Sequence, residues 1–203
     1  DIINLCKDKN IYLVNDVAQS TGAEFRDEKL GIYGTAAMYS MQHSKIISSG
    51  NGGIAATNDD EIGARIHYLQ QQASIKKMEY VSSTLFRIKE LYYANRKVFG
   101  YIYYKYNRYR RIEFPINICV NEREGELPDN YFCKLPNALA SIALNQIKKI
   151  DKINEVRKEN GYFWYKWCKQ NKLYKPTIID NSKPVFLRYP LLAGNSVRQK
   201  IID

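Results

Sequence analysis

The fold is decided by the stretch YSMQHSKIISSGNGG, which runs from Tyr39 to Gly53. The apolar run Ala36–Met41 leads into a polar turn that carries Lys45, and the glycine cluster Gly50–Gly53 precedes a second apolar run, Ile54–Thr57. Apolar runs bounded by glycine-rich polar segments are typical of buried strands. This pattern predicts a strand, a turn that presents a lysine, and a second strand. Taken by itself, Lys45 would be read as an ordinary solvated side chain.

An acid and an amide follow the preceding predicted strand. Ile11–Val14 reads as a buried strand, and Asp16 and Gln19 come directly after it. Residues 1–9 read as the end of a helix that feeds this strand. A helix followed by a strand favours a mostly parallel α/β sheet, in which ligands bind at the carboxyl ends of the strands. We therefore expect Asp16 and Lys45 to face one pocket.

These residues, in this order, resemble a known family signature. The matching elements are Asp16-x-x-Gln19, Gly22-Ala23-Glu24, Gly31-x-x-Gly34, Ser40, Lys45 and Gly50-x-Gly52-Gly53. They are similar to the DegT/DnrJ/EryC1/StrS aminotransferases over roughly residues 10–73, and the similarity returns in Lys134–Ala140.

The resemblance implies the fold of a pyridoxal-phosphate-dependent transferase, of the aspartate aminotransferase type, in the α/β class. Family members are about twice as long, so we interpret the chain as the second half of the large domain plus the start of a smaller C-terminal domain. The predicted divisions are part of the cofactor-binding domain (1–75), a basic, tyrosine-rich helical insert and linker (76–133), and a long helix that opens the small domain (134–203).

The resemblance also implies a cofactor and four site residues. Lys45 would anchor pyridoxal 5'-phosphate covalently and then transfer protons as general acid and base. Asp16 would pair with the pyridine nitrogen of the cofactor, Gln19 would position its ring, and Ser40 would help to hold its phosphate. The first half of the family fold supplies the phosphate-binding turn and the stacking aromatic, which these residues do not identify.

The implied activity is transfer of an amino group, from glutamate, to a nucleotide-linked keto-sugar by a homodimer. Lys45 in register indicates the transaminating branch, because a dehydratase branch of the family has histidine there. Three positions depart from the family pattern: Gln42 replaces a histidine, Asn51 replaces a glutamate, and Phe132 occupies the position of an asparagine that reaches the partner subunit's cofactor. The alternative is a non-catalytic paralogue that keeps the fold and a binding surface.

The net charge of +10 is concentrated in one segment of the chain. Residues 76–111 contain ten Lys or Arg against two Glu, interleaved with tyrosines, and account for +8 of that charge. Apolar residues recur there near helical spacing, which predicts one or two amphipathic helices. The segment suits a solvated helix, a subunit interface or weak contact with a membrane surface. Nucleic acid is not an expected partner, because no recognisable binding motif is present.

Cysteine usage predicts neither a metal site nor a disulfide framework. The four cysteines, Cys6, Cys119, Cys133 and Cys168, form no Cys-x-x-Cys pair. Such usage favours a reducing, cytoplasmic setting, with peripheral membrane contact as the alternative.

Three further elements are predicted from periodicity and turn chemistry. A helix is expected over Glu61–Gln72, capped by Asn58 or Asp59. One long helix is expected from the Lys134–Ala140 block to near Asn171, with Gln146 on its apolar side and Arg157 largely exposed. Residues 112–133 read as a loop, and Pro184–Leu192 reads as a strand of the small domain.

Overall fold

The computed structural model describes residues 2–110, 125–126, 131–192 and 194 of the 203-residue chain. The helices, in chain order, are α1 Ile2–Asp8, α2 Asp60–Gln72, α3 Met78–Ala94, α4 Lys97–Arg110, α5 Asn137–Ile147 and α6 Ile150–Gln170. The strands are β1 Val14–Asp16, β2 Glu24–Phe25, β3 Glu28–Lys29, β4 Ala36–Ser40, β5 Gly53–Ala56, β6 Ser74–Ile75, β7 Cys133–Lys134 and β8 Ser182–Lys183. The predicted α/β class is confirmed. The predicted loop over 112–133 lies largely outside the described residues.

The central sheet has the order β1-β4-β5, with β4 in the middle. The β1–β4 pairing is parallel, as predicted, whereas β5 returns antiparallel to β4 because the lysine turn reverses the chain between them. One face of β4 is packed: Ala37 is buried, as is Met41 just beyond the strand. The opposite face, which carries Val14 of β1 and Met38 of β4, is open.

The first strand begins later than predicted. The sequence indicated Ile11–Val14, but ladder pairing with β4 starts at Val14 and ends at Asp16. Leu13 donates its backbone N–H to the Thr35 hydroxyl, at 3.1 Å, and the ladder begins at the next residue, Val14, three residues later than predicted.

The helix after β5 forms as predicted. Asp59 is its N-cap, and the Asp59 carboxylate accepts a hydrogen bond from the Ile62 N–H at 2.9 Å. This bond satisfies one of the free amides of the first turn. The helix then runs to Gln72, the predicted end.

The basic segment forms two helices, which confirms the amphipathic prediction. α3 packs inward through Val81 and Ala94, and α4 folds back against it. Gly100 permits this approach, because a Cβ atom at that position would lie 2.2 Å from the Ala94 carbonyl oxygen. No helix in the described parts of the chain is long and apolar enough to cross a membrane.

The predicted long helix is two helices, α5 and α6, separated by a turn at Lys148 and Lys149. The Lys149 N–H bonds to the Gln146 carbonyl, only three residues back, which tightens the last turn of α5. The expectation that Arg157 is largely exposed is wrong. Its guanidinium is half-buried and donates to the carbonyl oxygens of Phe186 and Leu187, at 3.4 and 3.2 Å.

The predicted strand Pro184–Leu192 is also wrong. The strand in this region is β8, which pairs antiparallel with β2 of the β2–β3 hairpin. Pro184 has no N–H to continue the ladder, and Phe186 has φ 42°, which breaks the extended conformation. Glu24 of the hairpin accepts ion pairs from Lys29 at 2.7 Å and from Lys183 of β8 at 3.0 Å, so charge reinforces the junction.

Candidate active site

Asp16 and Ser40 share one face of the central sheet at its carboxyl edge. Asp16 is in register with Met38 of the parallel strand β4, and Ser40 follows Met38 by two residues. Side chains two apart on a strand point to the same face, so Ser40 lies on the Asp16 face, about 7 Å farther along the strand direction. The structure thus brings together a carboxylate and a hydroxyl at the edge where α/β sheets bind ligands.

The Asp16 carboxylate is fixed by the chain that follows it. Its Oδ1 accepts a hydrogen bond from the Ala18 N–H at 2.9 Å, while Val17 and Ala18 are buried beneath the sheet edge. Gln19 lies in the turn that comes next, and its side chain, like that of Asp16, is exposed. The buried pair therefore anchors a short polar segment whose two functional groups remain accessible.

Lys45 lies in the turn between β4 and β5, as predicted. Its N–H bonds to the Gln42 carbonyl at 3.0 Å, and its side chain is half-buried. Ile46 and Ile47, which follow directly, are among the most buried residues of the chain. The burial of Ile46 and Ile47 therefore fixes the turn that carries Lys45 against the core.

A glutamine from a distant helix clamps the same turn. The Gln146 side-chain amide of α5 donates to the Ser48 carbonyl at 2.5 Å and accepts from the Ser48 N–H at 2.9 Å. Sequence reasoning placed Gln146 on the apolar side of its helix but assigned it no role. The sequence did contain a signal for this contact, because a polar amide on the apolar side of a helix needs a hydrogen-bond partner when that side is packed.

Two glycines shape the turn where it returns to the sheet. Gly50 has φ 86° and Gly52 has φ 115°, in the left-handed region that side chains disfavour. A Cβ atom at Gly52 would also lie 2.7 Å from Leu135, just before α5. The predicted glycine cluster is therefore required both for backbone conformation and for close packing.

The three departures from the family pattern have local structural roles. The Gln42 side chain accepts a bond from the Ser44 hydroxyl at 3.5 Å. The Asn51 side chain donates to the Tyr80 hydroxyl of α3 at 3.1 Å, which links the turn to the basic segment. Phe132 is 69% exposed, and its carbonyl accepts from the Ser74 N–H and hydroxyl.

A cavity of about 620 Å³ lies between the lysine turn and α3. Its polar lining includes Gln42, His43, Asn51, Tyr80, Thr84 and Arg87. Partial burial opposes the charge on Arg87, but hydrogen bonds to Glu90 and Tyr103 outweigh it and raise its pKa. The cavity lies beside the His43 side of the turn, and it is distinct from the open sheet edge that carries Asp16.

Residues 1–202 match the model of the DegT/DnrJ/EryC1/StrS aminotransferase family. The chain belongs to this family. DegT/DnrJ/EryC1/StrS aminotransferases are pyridoxal-phosphate-dependent enzymes, as the sequence resemblance implied.

The chain is similar to curated proteins that include a GDP-perosamine synthase and an L-glutamine:2-deoxy-scyllo-inosose aminotransferase. It is 24% identical over 198 residues to GDP-perosamine synthase of Caulobacter vibrioides, which covers 97% of this chain and 42% of the relative. It is 47% identical over 58 residues to L-glutamine:2-deoxy-scyllo-inosose aminotransferase of Streptomyces paromomycinus, over 29% of this chain and 14% of the relative. The chain therefore spans less than half the length of the curated relatives it matches.

Solved structures share the fold. An aminotransferase of the family from Brucella abortus superposes with a TM-score of 0.61 at 13% identity, over 98% of this chain and 42% of its own. Helicobacter pylori PseC, described as an aminotransferase of pseudoaminic acid biosynthesis, superposes with a TM-score of 0.61 at 18% identity, over 99% and 44% of the two chains. These matches confirm the predicted fold of the pyridoxal-phosphate-dependent transferases.

The donor set at the sheet edge fits the family's cofactor. Pyridoxal phosphate presents a cationic pyridine nitrogen, an anionic phosphate and an aldehyde, which require an anion, hydrogen-bond donors and an amine. Asp16 of β1 and Ser40 of the adjacent strand β4 offer the first two functions, and Lys45 in the turn between β4 and β5 offers the third. Gln19 adds an accessible amide beside Asp16.

Proposed function

We propose that the protein is a pyridoxal-phosphate-dependent aminotransferase that transfers an amino group, from glutamate, to a nucleotide-linked keto-sugar. The observation that supports this proposal most directly is the shared face of Asp16 and Ser40, at the carboxyl edge of parallel strands, next to the turn that carries Lys45. Family membership supports the reaction class, and the residue positions support retention of its machinery.

Four residues of this chain have separate roles in cofactor binding and proton transfer. Lys45 would hold the cofactor through its side-chain amine, and the same amine would serve as general base and then general acid for proton transfer at the substrate carbon. Such positioned proton transfer contributes a factor of about 10² to 10⁴. Asp16 would pair with the pyridine nitrogen and keep it protonated, Ser40 would donate a hydrogen bond to the phosphate, and Gln19 would position the ring. When bound, pyridoxal phosphate supplies the electron sink that makes the transfer possible.

The clamped turn gives Lys45 a defined position for both roles. Proton transfer depends on geometry within hydrogen-bond reach, so a mobile turn would lower the rate. The buried Ile46 and Ile47, together with the two bonds from Gln146, restrict that motion. The Asp16 carboxylate is held in the same way by the Ala18 N–H.

Two acceptor classes have support among the relatives. The match over nearly the whole chain is a GDP-perosamine synthase, which favours a nucleotide-linked sugar. The shorter and more identical match is named for glutamine and 2-deoxy-scyllo-inosose, which makes a free cyclitol ketone with glutamine as donor the second candidate. The two candidates differ in whether the acceptor carries a nucleotide diphosphate.

The first experiment tests the cofactor site. The intact protein is incubated with pyridoxal phosphate, reduced with borohydride and analysed by peptide mass spectrometry. We expect a reduced pyridoxyl adduct on the peptide of the parent protein that contains Lys45. The corresponding peptide of the Lys45→Arg variant should carry no adduct. A folded parent protein without the adduct would favour the non-catalytic paralogue.

The second experiment separates the acceptors. Glutamate with a GDP-linked 4-keto-6-deoxy sugar and glutamine with 2-deoxy-scyllo-inosose are assayed side by side, with amine formation followed by mass. Turnover of the GDP-linked sugar alone supports the proposal. Turnover of 2-deoxy-scyllo-inosose alone would show that the acceptor is the cyclitol ketone and not a nucleotide-linked sugar. The homodimer and the cytoplasmic location stay predictions; size-exclusion chromatography with light scattering tests the first, and cell fractionation the second.

A further inference from the structure

The exposed surface of α4 carries two parallel rows of side chains. Val98, Ile102 and Tyr106, spaced four residues apart, are 70%, 58% and 54% exposed. The adjacent row, one residue earlier, consists of Lys97, Tyr101 and Lys105, which are also exposed. Residues four apart lie above one another on a helix, and consecutive residues are 100° apart. These six residues, which we call the α4 double row, therefore place an apolar strip directly beside a basic one.

An apolar groove adjoins the double row. It lies between α3 and α4 and has a volume of about 310 Å³. Its lining is Tyr93, Ala94, Phe99, Ile102, Tyr103 and Tyr106. Ile102 and Tyr106 belong both to the groove and to the apolar row, so the two features form one continuous apolar surface.

One basic group of the double row, Lys105, and one between α3 and α4, Arg96, stack on tyrosine rings. The Lys105 ammonium lies 5.7 Å from the Tyr101 ring centroid, and the Arg96 guanidinium lies 4.7 Å from the Tyr92 ring centroid. Residues 76–111 carry a net charge of +8. Lysine, arginine and tyrosine are the residues that sit at the headgroup level of a bilayer, above an apolar row that enters the acyl boundary.

We propose that the α4 double row docks on an anionic phospholipid surface, with Lys97 and Lys105 at the headgroup phosphates and Val98 and Ile102 in the acyl boundary. Charge complementarity selects this partner. A second copy would bring together two segments that each carry a net charge of +8 over residues 76–111, which like-charge repulsion opposes. Nucleic acid would satisfy the charge but not the aliphatic Val98 and Ile102, which provide no flat ring for base stacking. The proposal is independent of the aminotransferase activity.

The test is flotation of the intact protein with vesicles of phosphatidylcholine, either pure or with about a third phosphatidylglycerol. We expect binding to the anionic vesicles in about 50 mM salt and loss of most binding in about 300 mM salt, because screening shortens the reach of the charges. Each basic residue near an anionic surface contributes about a fivefold factor, so Lys97→Glu with Lys105→Glu should weaken binding by at least ~25-fold.

Two further variants distinguish binding through the α4 double row from nonspecific attraction of a basic protein to anionic vesicles. Val98→Ser with Ile102→Ser should weaken binding about tenfold at low salt, since insertion of the apolar row is lost. The matched control is Lys148→Glu with Lys149→Glu, which makes the same charge change at two exposed residues between α5 and α6. The control should change binding less than about fivefold, because these residues lie outside the double row.

Four results would overturn the proposal. The first is failure of the parent protein to float with anionic vesicles, and the second is an equal loss of binding in the control. The third is a lower melting temperature or altered oligomeric state in Val98→Ser/Ile102→Ser, which would show that the row packs against protein. Tighter binding of a single-stranded oligonucleotide, unchanged by that variant, would assign the surface to nucleic acid.

Discussion

Gln146 forms both hydrogen bonds of its side-chain amide with the backbone of Ser48, 98 residues earlier in the sequence. The contact joins α5 to the turn that carries Lys45. Because the backbone N–H and carbonyl of Ser48 are satisfied by one side chain, removal of that side chain leaves both of them unpaired.

Gln146→Leu should therefore destabilise the protein and loosen the lysine turn. Unpaired, partly buried backbone groups cost about 1–3 kcal/mol in the free energy of unfolding. We expect a loss of this size by denaturant unfolding, together with faster release of pyridoxal phosphate on dilution. Asn145→Leu is the control, because the exposed Asn145 amide contacts only the Ser141 carbonyl of its own helix among the residues described. Equal losses in the two variants would contradict a specific clamp.

Asp16→Asn should separate cofactor attachment from turnover. Asparagine has nearly the same size but no charge, so it cannot hold positive charge on the pyridine nitrogen. We expect the adduct on Lys45 to form and the transamination rate to fall by about 10²-fold or more. Asp180→Asn, at an exposed acid, should leave the rate unchanged. A parental rate in Asp16→Asn would make the carboxylate structural only.

Two glycine substitutions should change stability in opposite directions. Gly52→Ala places a side chain at φ 115°, with its Cβ 2.7 Å from Leu135, and should destabilise by about 1–3 kcal/mol. Gly63→Ala lies within α2, where the new Cβ would meet only Thr57 at 3.7 Å, and should stabilise by about 0.5–1 kcal/mol. Thermal unfolding of both variants checks the signs, and a neutral Gly52→Ala would mean that the turn can relax.

Glu24 should contribute an acid-sensitive part of the stability. Hydrogen bonds from Lys29 and then from Lys183 lower the pKa of its carboxyl from 4.5 to about 2. Since the folded pKa lies below the unfolded one, the contribution is complete above the unfolded value of 4.5 and is lost as the pH falls toward about 2.

The measurement is the difference in unfolding free energy between the parent and Glu24→Gln as a function of pH. We expect a constant difference above about pH 5 that disappears progressively in more acidic solution. Glu159→Gln, at an exposed position on α6, is the control and should give no such profile. If the difference in unfolding free energy were still present at about pH 2, Glu24 would stabilise the hairpin without its charge.

Local chemistry made part of this structure predictable. The strand β4, the lysine turn and the capped helix α2 follow from apolar runs, glycines and the acid Asp59, all of which act within a few residues. The placement of Asp16 at the carboxyl edge of the sheet was predictable because it follows a parallel strand, and Ser40 of β4 lies on the same face. The expectation that Asp16 and Lys45 face one pocket stays a prediction.

Long-range pairing set the features that the sequence did not predict. The start of β1 depends on where β4 pairs with it. The pairing of β8 depends on β2, in which Phe25 lies 157 residues before its partner Ser182. Arg157 was expected in solvent because it lies on the polar side of the predicted long helix, and nothing local to that helix indicates the carbonyls of Phe186 and Leu187 that it binds. The contact between Gln146 and Ser48 was also not predicted, because the two residues are 98 positions apart and only the folded chain brings the side-chain amide to that backbone.

The separation between Ser48 and Gln146 also bears on the order of folding. Closing a chain segment of 98 residues carries a loop-closure entropy that local helices and turns do not. Contacts of high sequence separation form late and slow the folding rate. The lysine turn should consequently reach its final shape only after α5 docks, so the capacity to retain the cofactor would report completed folding of this part of the chain.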